Sequence, residues 1–220
     1  MKYLIVCAGE PPSKALLERE MKDTAQLISC DGAADVLERY GFVPNLMVGD
    51  FDSLGLERSV LLQKKWGAER IELNPDKDKP DSQVALELAV AAGASKIVIL
   101  GALGRRFDHA LGNVLMMIPP QRQGVEMVMY DEQNEVRVCC GLLVLKGQVG
   151  DTLSLIPLGV NCMIRCTDGL HYPLYDHEFD LGDNLGISNR FVAEEALVEV
   201  AHGWFCVIRS KDLEGEQAGT

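Results

Sequence analysis

Short strand-like runs alternate with amphipathic stretches as far as Tyr130, and this alternation strongly constrains the fold. The runs have the length of buried strands and cover residues 3–8, 27–30, 46–48, 70–73, 96–100 and 125–130. Hydrophobic residues recur at helical spacing over residues 13–21, 33–40, 54–66, 82–92 and 107–118, and Pro119 and Pro120 follow the last stretch. Strands that alternate with helices form parallel sheets covered by helices on both faces. The sequence therefore predicts an α/β domain with a doubly wound, mainly parallel, Rossmann-like sheet.

The pattern changes after Glu135, where β-like runs follow one another without a convincing amphipathic helix between them. Gly, Asn, Asp or Pro separates these runs, which cover residues 136–138, 142–145, 152–156, 162–166, 192–200 and 204–208. Regular strands with frequent turns are typical of a β-sandwich or barrel. We therefore predict an α/β domain over residues 1–140 and an all-β sandwich or barrel domain over residues 141–220.

Charge and cysteine content narrow the functional classes. A net charge of -12 argues against a nucleic-acid-binding surface, which carries a basic patch. No apolar run approaches the roughly 20 residues that cross a bilayer, and the apolar N-terminal run is too short for a secretory signal. Cys7, Cys30 and Cys206 lie inside apolar runs, as reduced buried thiols do. We therefore expect a cytoplasmic protein without nucleic-acid or membrane partners.

Two carboxylates stand one residue apart where the strand at residues 46–48 ends. Asp50 and Asp52 belong to the pentapeptide Gly-Asp-Phe-Asp-Ser, and in extended backbone residues i and i+2 point to the same face. Two aspartates directed at one point repel each other unless a cation lies between them, so the spacing predicts a divalent-metal site. The alternative is a polar turn in which Asp52 or Ser53 only caps the next helix.

Acidic residues also follow the other predicted strands. Asp31 follows residues 27–30, Asp76, Asp78 and Asp81 follow residues 70–73, and residues 96–100 lead to Arg106, Asp108 and His109. In open parallel sheets, ligands bind beyond the carboxyl ends of the strands. Acidic groups interleaved with Arg and Lys at these ends predict a site for a metal ion and a polyphosphate.

In this order, these residues resemble the thiamine pyrophosphokinase family. The resemblance rests on DGAADVLERYGFVPNLMVGDFDSL (31–54), PDKDKPDSQVAL (75–86), LGALGRRFDHALGN (100–113), GDTLSLIPLG (150–159) and LGISNRF (185–191). The chain departs from the family pattern at Pro80, where a threonine is usual, at Gln83 and Arg190, where acids are usual, and at Arg105, where glycine is usual.

The resemblance implies an enzyme that transfers the terminal diphosphate of ATP to the hydroxyl of thiamine and leaves AMP. Hard oxygen donors suit Mg²⁺, so Asp50, Asp52 and Asp81 are the expected ligands. Asp31 and Asp78 are expected to complete the acidic shell, directly or through water. As the alternative, Asp78 and Asp81 cap the helix that begins near residue 82.

Basic and polar groups near the acidic shell are expected to bind phosphate or substrate. Arg106 is the leading phosphate clamp, because its guanidinium makes bidentate contacts, and Lys77 is a second cation. Asp108 is expected to orient groups or to accept from the substrate hydroxyl, and His109 completes the ATP-binding set. For Arg106 the alternative is pairing with a surface acid, and for His109 it is a structural hydrogen bond.

The pair Ser188 and Asn189 lies in the all-β part. The resemblance implies that this pair lines the thiamine pocket, and that a homodimer shares each site between its subunits. Amide and hydroxyl groups suit a neutral pyrimidine edge, whereas Arg190 would oppose the cationic thiazolium if it pointed inward. The alternative is an ordinary polar β-turn.

Three functions remain open on the sequence. The first is thiamine pyrophosphokinase activity, and the second is the same diphosphate transfer to another hydroxyalkyl acceptor such as a pterin. The third is a thiamine- or nucleotide-binding module without catalysis. The acidic cluster argues against the third function, since carboxylates kept together without a metal ion repel one another.

Overall fold

The computed structural model describes residues 1–76, 78–104 and 106–211, and the chain divides after Glu132 into two compact units. We call them the N-terminal unit and the C-terminal unit. The N-terminal unit is an α/β structure and the C-terminal unit is built of antiparallel strands, which confirms the predicted fold class. Within the described ranges, no helix is both long and apolar enough to span a membrane.

Parallel strands form the sheet of the N-terminal unit. They are β1 (Lys2–Val6), β2 (Thr24–Cys30), β3 (Leu46–Gly49), β4 (Glu69–Glu72), β5 (Lys96–Leu100) and β6 (Glu126–Tyr130). Their order is β6-β5-β1-β2-β3-β4, and each neighbouring pair is parallel. The chain moves outward from β1 to β4 and then returns to β5 on the other side of β1. The strand order therefore reverses between β1 and β5.

Helices connect these strands, as the alternation predicts. They are α1 (Lys14–Met21), α2 (Ala33–Tyr40), α3 (Leu56–Trp66), α4 (Asp81–Ala91), α5 (Phe107–Leu115) and α6 (Ile118–Arg122). The predicted helix over residues 107–118 is wrong at its end, because α5 stops at Leu115 and the prolines begin α6. Proline is tolerated in the first turn of a helix, where its missing N–H has no intrahelical partner. Leu4, Val6, Val98 and Leu100 pack in the core of this unit.

Antiparallel strands form the C-terminal unit. They are β7 (Asn134–Lys146), β8 (Thr152–Pro157), β9 (Cys162–Asp168), β10 (Tyr175–Phe179), β11 (Asn189–Arg190) and β12 (Glu195–Ser210). β12 pairs with β7, β8 and β9, and β8 also pairs with β11. Strands predicted as separate runs are continuous in β7 and β12, because Gly141 and Gly203 adopt positive φ where the register shifts and so absorb the irregularity. Phe179, Phe191 and Phe205 lie in the core.

A nearly buried ion network links the strands of the C-terminal unit. Glu135 on β7 accepts from Arg137 Nε at 2.7 Å and from Arg209 Nη2 at 2.8 Å. Arg209 Nη1 also donates to Asp151 Oδ2 at 3.1 Å. Charges removed from water need partners of opposite sign. The network supplies such partners and connects β7 to β12 and to Asp151.

Candidate active site

A cleft of about 720 Å³ opens in the N-terminal unit at the carboxyl ends of β1, β2 and β5. The loops that follow β1 and β5, the end of β2 and the first turns of α4 and α5 line it. The cleft lies where the strand order reverses, between β1 and β5, and such a position is the usual ligand site of open parallel sheets. Topology therefore marks this cleft as the candidate site.

Two glycines allow the loops after β1 and β5 to touch through their backbones at the cleft. Gly9 N donates to Gly101 O at 2.9 Å. A Cβ atom on Gly9 would lie 2.3 Å from Gly101 O, and one on Gly101, whose φ is +68°, would lie 2.4 Å from Cys7 O. Neither glycine was predicted as a site residue from the sequence. Their signal was a glycine directly after a buried strand, which often marks a close backbone approach.

Three aspartates form a compact carboxylate cluster beside this cleft. One oxygen from each of Asp31, Asp50 and Asp52 lies within 4.8 Å of the other two. β2 and β3 are neighbours, and Asp31 N donates to Val48 O at 2.9 Å, which brings the two strand ends together. A Cβ atom on Gly49 would lie 3.1 Å from Asp31 Cα and Cβ, so this glycine permits the close approach. Asp31, predicted to complete the acidic shell, is thus a member of the cluster itself.

Asp31 has the electrostatic environment of a cation ligand. Its Oδ2 accepts from the Ser53 hydroxyl, whereas its buried Oδ1 has no hydrogen-bond partner among the residues that the structure describes. Burial raises the pKa of Asp31, and the negative charges of Asp52 and Asp81 add to this effect against the opposing hydrogen bond from Ser53. A hard divalent cation would satisfy the free oxygen and offset the repulsion. The donor set therefore fits Mg²⁺.

The turn that carries Asp50 and Asp52 differs from the extended backbone assumed in the sequence analysis. Phe51 between them has φ of +59° and is 1% exposed, and Asp52 N donates to Asp50 Oδ1 at 3.2 Å. A left-handed conformation for a bulky residue costs on the order of 1–3 kcal/mol, which burial of the Phe51 ring offsets. The aromatic side chain thus anchors a polar turn that leaves both carboxylates outside the core.

The side chain of Arg70 packs against Phe51 in this turn, a contact that was not predicted from the sequence. Its guanidinium carbon lies 4.4 Å from the centroid of the Phe51 ring. Its Nε donates to Ser59 Oγ at 3.2 Å, and its Nη1 lies 2.9 Å from Glu72 Oε2. These contacts connect β4 and α3 to the residue between the two aspartates. Single-sequence reasoning offers little signal for such a contact, because it depends on tertiary packing.

The sequence left open that acidic or serine side chains cap α3 and α4, but no such cap hydrogen bond is found among the described residues. The N-cap of α3 is Gly55, and the Ser53 hydroxyl bonds Asp31 instead. The N-cap of α4 is Pro80, and no side-chain hydrogen bond caps this helix among the described residues. Asp81 begins α4 and lines the cleft, whereas Asp78 is exposed in the preceding bend. Lys77 lies outside the described residues.

A hydrogen-bonded link holds α4, α5 and the loop after β5 together around the cleft. Ser82 Oγ donates to Asn113 Oδ1 at 3.0 Å, and Asn113 Nδ2 donates to Ala102 O at 2.9 Å. All three residues line the cleft. None of the three was predicted as a site residue, since the partners are distant along the chain. Their contacts fix the first turn of α4, where Asp81 lies.

Arg106 lines the cleft and pairs with a neighbouring acid. Its Nη2 lies 2.7 Å from Asp108 Oδ2, and the side chains are 70% and 63% exposed. Hydrogen bonding to Arg106 is the main cause that lowers the pKa of Asp108. The observed contact is therefore the surface ion pair named as the alternative. Exposed pairs contribute little to stability, so Arg106 can exchange Asp108 for another anion. His109 is exposed and also lines the cleft.

Ser188 and Asn189 lie in the C-terminal unit, and their surroundings differ. Asn189 is 6% exposed; its Oδ1 accepts from Tyr172 N at 3.0 Å and from Arg190 N at 2.9 Å, and its Nδ2 donates to Tyr172 O at 2.7 Å. Asn189 therefore positions the loop at Tyr172. Ser188 and Arg190 are exposed, and the backbone N of Ser188 donates to Ser154 Oγ at 3.1 Å. A thiamine contact by this pair stays a prediction.

Two family models match the chain. The model described as thiamin pyrophosphokinase, catalytic domain, matches residues 17–129. The model described as thiamin pyrophosphokinase, vitamin B1 binding domain, matches residues 139–204. The first match contains the carboxylate cluster, and the second contains Ser188 and Asn189.

Individual relatives match along almost the whole chain. Thiamine pyrophosphokinase of Bacillus subtilis is 27% identical over 215 residues, which cover 96% of this chain and 100% of the relative. A crystal structure of thiamine pyrophosphokinase from Bacillus subtilis has a TM-score of 0.86 at 25% identity and covers 97% of this chain and 100% of its own. That of thiamin pyrophosphokinase from Geobacillus thermodenitrificans has a TM-score of 0.84 at 28% identity, with 97% and 99% covered.

Proposed function

This chain belongs to the thiamine pyrophosphokinase family, and from this premise we propose that it transfers the terminal diphosphate of ATP to thiamine with the help of Mg²⁺. The hydroxyl oxygen of thiamine forms a bond to the β-phosphorus and loses its proton, the bond from that phosphorus to the α–β bridging oxygen breaks, and AMP leaves. The observation that carries the proposal is the aspartate cluster beside a cleft at the point of strand reversal. The N-terminal unit would bind ATP and Mg²⁺, and the C-terminal unit would bind thiamine.

Asp31, Asp50 and Asp52 would hold Mg²⁺, and Asp81 faces the same cleft as a further acidic ligand. When bound, Mg²⁺ supplies positive charge next to the phosphoryl oxygens. The support is the buried, unpartnered Oδ1 of Asp31 within the described residues. Asp78 is exposed before α4, and a water-mediated contact is the role we propose for it.

The walls of the cleft suit a polyphosphate. α4 and α5 both begin at it, and among the described residues neither helix has a side-chain cap hydrogen bond at its N-terminus. Free N–H groups and the helix dipole favour anions there. We assign Arg106 and His109 to the phosphates. Asp108, whose pKa is lowered by Arg106, is ionised near neutral pH and is suited to accept a hydrogen bond from the substrate hydroxyl.

The direct test of this function is an acceptor panel. Purified protein is incubated with ATP, Mg²⁺ and either thiamine or a hydroxymethylpterin, and AMP and the phosphorylated acceptor are measured. We expect thiamine diphosphate and AMP in equal amounts. AMP formation only with the pterin would support the alternative acceptor, and no turnover with either acceptor would support a binding module.

Substitution of Arg106 by lysine tests the phosphate clamp. Lysine keeps the charge but loses the two-pronged contact, so we expect kcat/KM for ATP to fall at least about tenfold, the effect of losing one hydrogen bond to a charged group. Arg58→Lys is the matched control, because Arg58 is an exposed arginine that pairs with Asp35 and Glu38 outside this cleft. Equal kcat/KM values for wild type and Arg106→Lys would refute the role of Arg106 as the phosphate clamp.

We propose a homodimer in which the carboxylate cluster of one subunit serves the Ser188–Asn189 segment of the other. The predicted thiamine contacts and the cluster lie in different units of the chain. The segment that precedes Ser188 along the chain exposes apolar side chains, with Leu181 67%, Leu185 60% and Ile187 44% accessible. Neighbouring exposed apolar groups are typical of interaction surfaces.

Subunit exchange tests the shared site. An Asp50→Asn chain and an Asn189→Ala chain are each expected to be inactive. Mixing them under exchange conditions should restore activity, because each mixed dimer contains one site with both substitutions and one site with neither. Thermal unfolding checks that Asn189→Ala folds. Ser188→Asn is a second variant of the same segment for the exchange experiment, since Asn tolerates the positive φ of 61° at this position. A monomer with full activity, or verified exchange without recovery, would contradict the shared site.

The free cysteines bear on localisation. All seven cysteines lie in described parts of the chain, and each is a free thiol. Reduced thiols are typical of the cytosol. This observation supports our proposal that the enzyme works in the cytoplasm.

A further inference from the structure

Two cysteines lie side by side at the cleft. Cys7 directly follows β1 and Cys30 ends β2, and both line the cleft. The register of these neighbouring parallel strands pairs Val6 with Ser29, so Cys7 and Cys30 come one residue later on each strand. Cys7 N still donates to Leu100 O at 2.8 Å, so the backbone continues the path of β1 at this point. The two side chains therefore leave adjacent strands on the same face of the sheet.

The thiols are close enough to interact. Cys7 and Cys30 are 8% and 3% exposed, and both line the cleft. Neighbouring strands are about 4.8 Å apart, which falls inside the range of roughly 4.4–6.8 Å between the Cα atoms of a disulfide. Little backbone movement is needed to join the two sulfurs.

We propose that Cys7 and Cys30 form a dithiol modification site that small-molecule disulfides convert to an intramolecular disulfide. The thiolate of one cysteine attacks a sulfur of the small disulfide, which forms a mixed disulfide and releases one small thiol. The thiolate of the other cysteine then attacks the protein sulfur of the mixed disulfide and releases the second small thiol. The two protein thiols lose two electrons and two protons, and the small disulfide is reduced to two thiols.

The new bond would act on the carboxylate cluster through the backbone. Cys30 directly precedes Asp31, whose φ is 44° and whose side chain contacts Ser53. Joining Cys30 to Cys7 fixes the end of β2 to β1, so the backbone at Asp31 can adjust less toward Asp50 and Asp52, which follow β3. This consequence rests on the proposed function of the cluster, whereas the modification site itself does not. We expect weaker divalent-metal binding and slower turnover in the oxidised protein.

The modification is tested on the full-length, reduced protein with bis(2-hydroxyethyl) disulfide under native conditions. The remaining thiols are then alkylated, and digestion followed by mass spectrometry identifies the linked peptides. We expect a Cys7–Cys30 linkage with the loss of two hydrogens, which dithiothreitol reverses. Alkylated Cys7 and Cys30 alongside mixed disulfides at the more accessible Cys140 and Cys166 would overturn the proposal.

A second measurement separates this site from the proposed function. Mn²⁺ binding, followed by electron paramagnetic resonance, should weaken at least about tenfold on oxidation, the scale found when groups that orient metal ligands are disturbed, and AMP formation should fall with it. Cys7→Ser and Cys30→Ser should each abolish the effect of oxidant, whereas Cys140→Ser should keep it. A Cys7–Cys30 disulfide in a protein that makes no AMP even when reduced would refute the enzyme function and support the modification site. Unchanged Mn²⁺ binding in the linked protein would overturn the coupling to Asp31.

Discussion

Asp50→Asn and Asp52→Asn should each lower the rate of AMP formation by at least about 100-fold, more than is lost when a group behind a metal ligand is removed. Asparagine keeps the size of the side chain but removes the charge that a hard divalent cation needs. Asp50 is half-buried and Asp52 is exposed at the outside of a turn, so neither substitution removes core contacts. Turnover across a Mg²⁺ titration and thermal unfolding are measured together.

Asp35→Asn is the matched control for these two variants. Asp35 lies on α2 in an ion pair with Arg58, and its side chain is 42% exposed. We expect this variant to keep both its turnover and its Mg²⁺ dependence. Near-normal activity of Asp50→Asn and Asp52→Asn would refute the metal site. A low melting temperature in either one would instead indicate a structural role, so the comparison requires folded protein.

Glu135→Ala should destabilise the C-terminal unit by about 3–5 kcal/mol, the cost of removing one partner from a buried ion pair. The Glu135 side chain is 9% exposed and faces the guanidinium groups of Arg137 and Arg209, each 15% exposed. Its loss leaves their positive charges with less compensation in a region that water reaches poorly. Urea unfolding measures the change, with Trp204 fluorescence as the probe of this unit in a Trp66→Phe background.

Glu195→Ala is the control for the ion network. Glu195 and Lys146 face each other at 3.9 Å with side chains 60% and 86% exposed, and such pairs contribute about 0–1 kcal/mol. Both substitutions remove a glutamate from the antiparallel β7–β12 pairing, so their difference reports burial and hydrogen bonding. Equal free energies of unfolding for the two variants would contradict the importance of the network.

Local sequence patterns were sufficient to predict the strands and helices and the acidic residues at the strand ends. Alternation of strand-like runs and helical spacing predicts parallel strands. In such a sheet, the ligand site is expected at the carboxyl ends of the strands. The acidic residues at those ends indicated the chemistry, and the resemblance to thiamine pyrophosphokinases is confirmed by both family models. These features are readable because periodicity and turn residues act over a few positions of the chain.

The membership of the carboxylate cluster depended on strand neighbours. Asp31 is 19 residues before Asp50, and only the pairing of β2 with β3 brings its oxygens to those of Asp50 and Asp52. Likewise, the resemblance implied a thiamine contact for Asn189, with a polar β-turn as the alternative, whereas packing of the C-terminal unit engages its amide at Tyr172. Burial determines which polar groups remain available to bind a ligand, and burial is known only once the whole unit is folded.

The sequence by itself thus determined the class of fold, the family and the chemical character of the site, because these follow from local spacing and residue type. The tertiary structure decided which groups meet: Asp31 at the cluster, Arg70 on the ring of Phe51, Ser82 on Asn113, and Cys7 beside Cys30. Each of these contacts joins residues from different strands or helices. Their adjacency results from the order in which strands pair to bury the core, and that order is set by packing of the whole sheet rather than by any short segment.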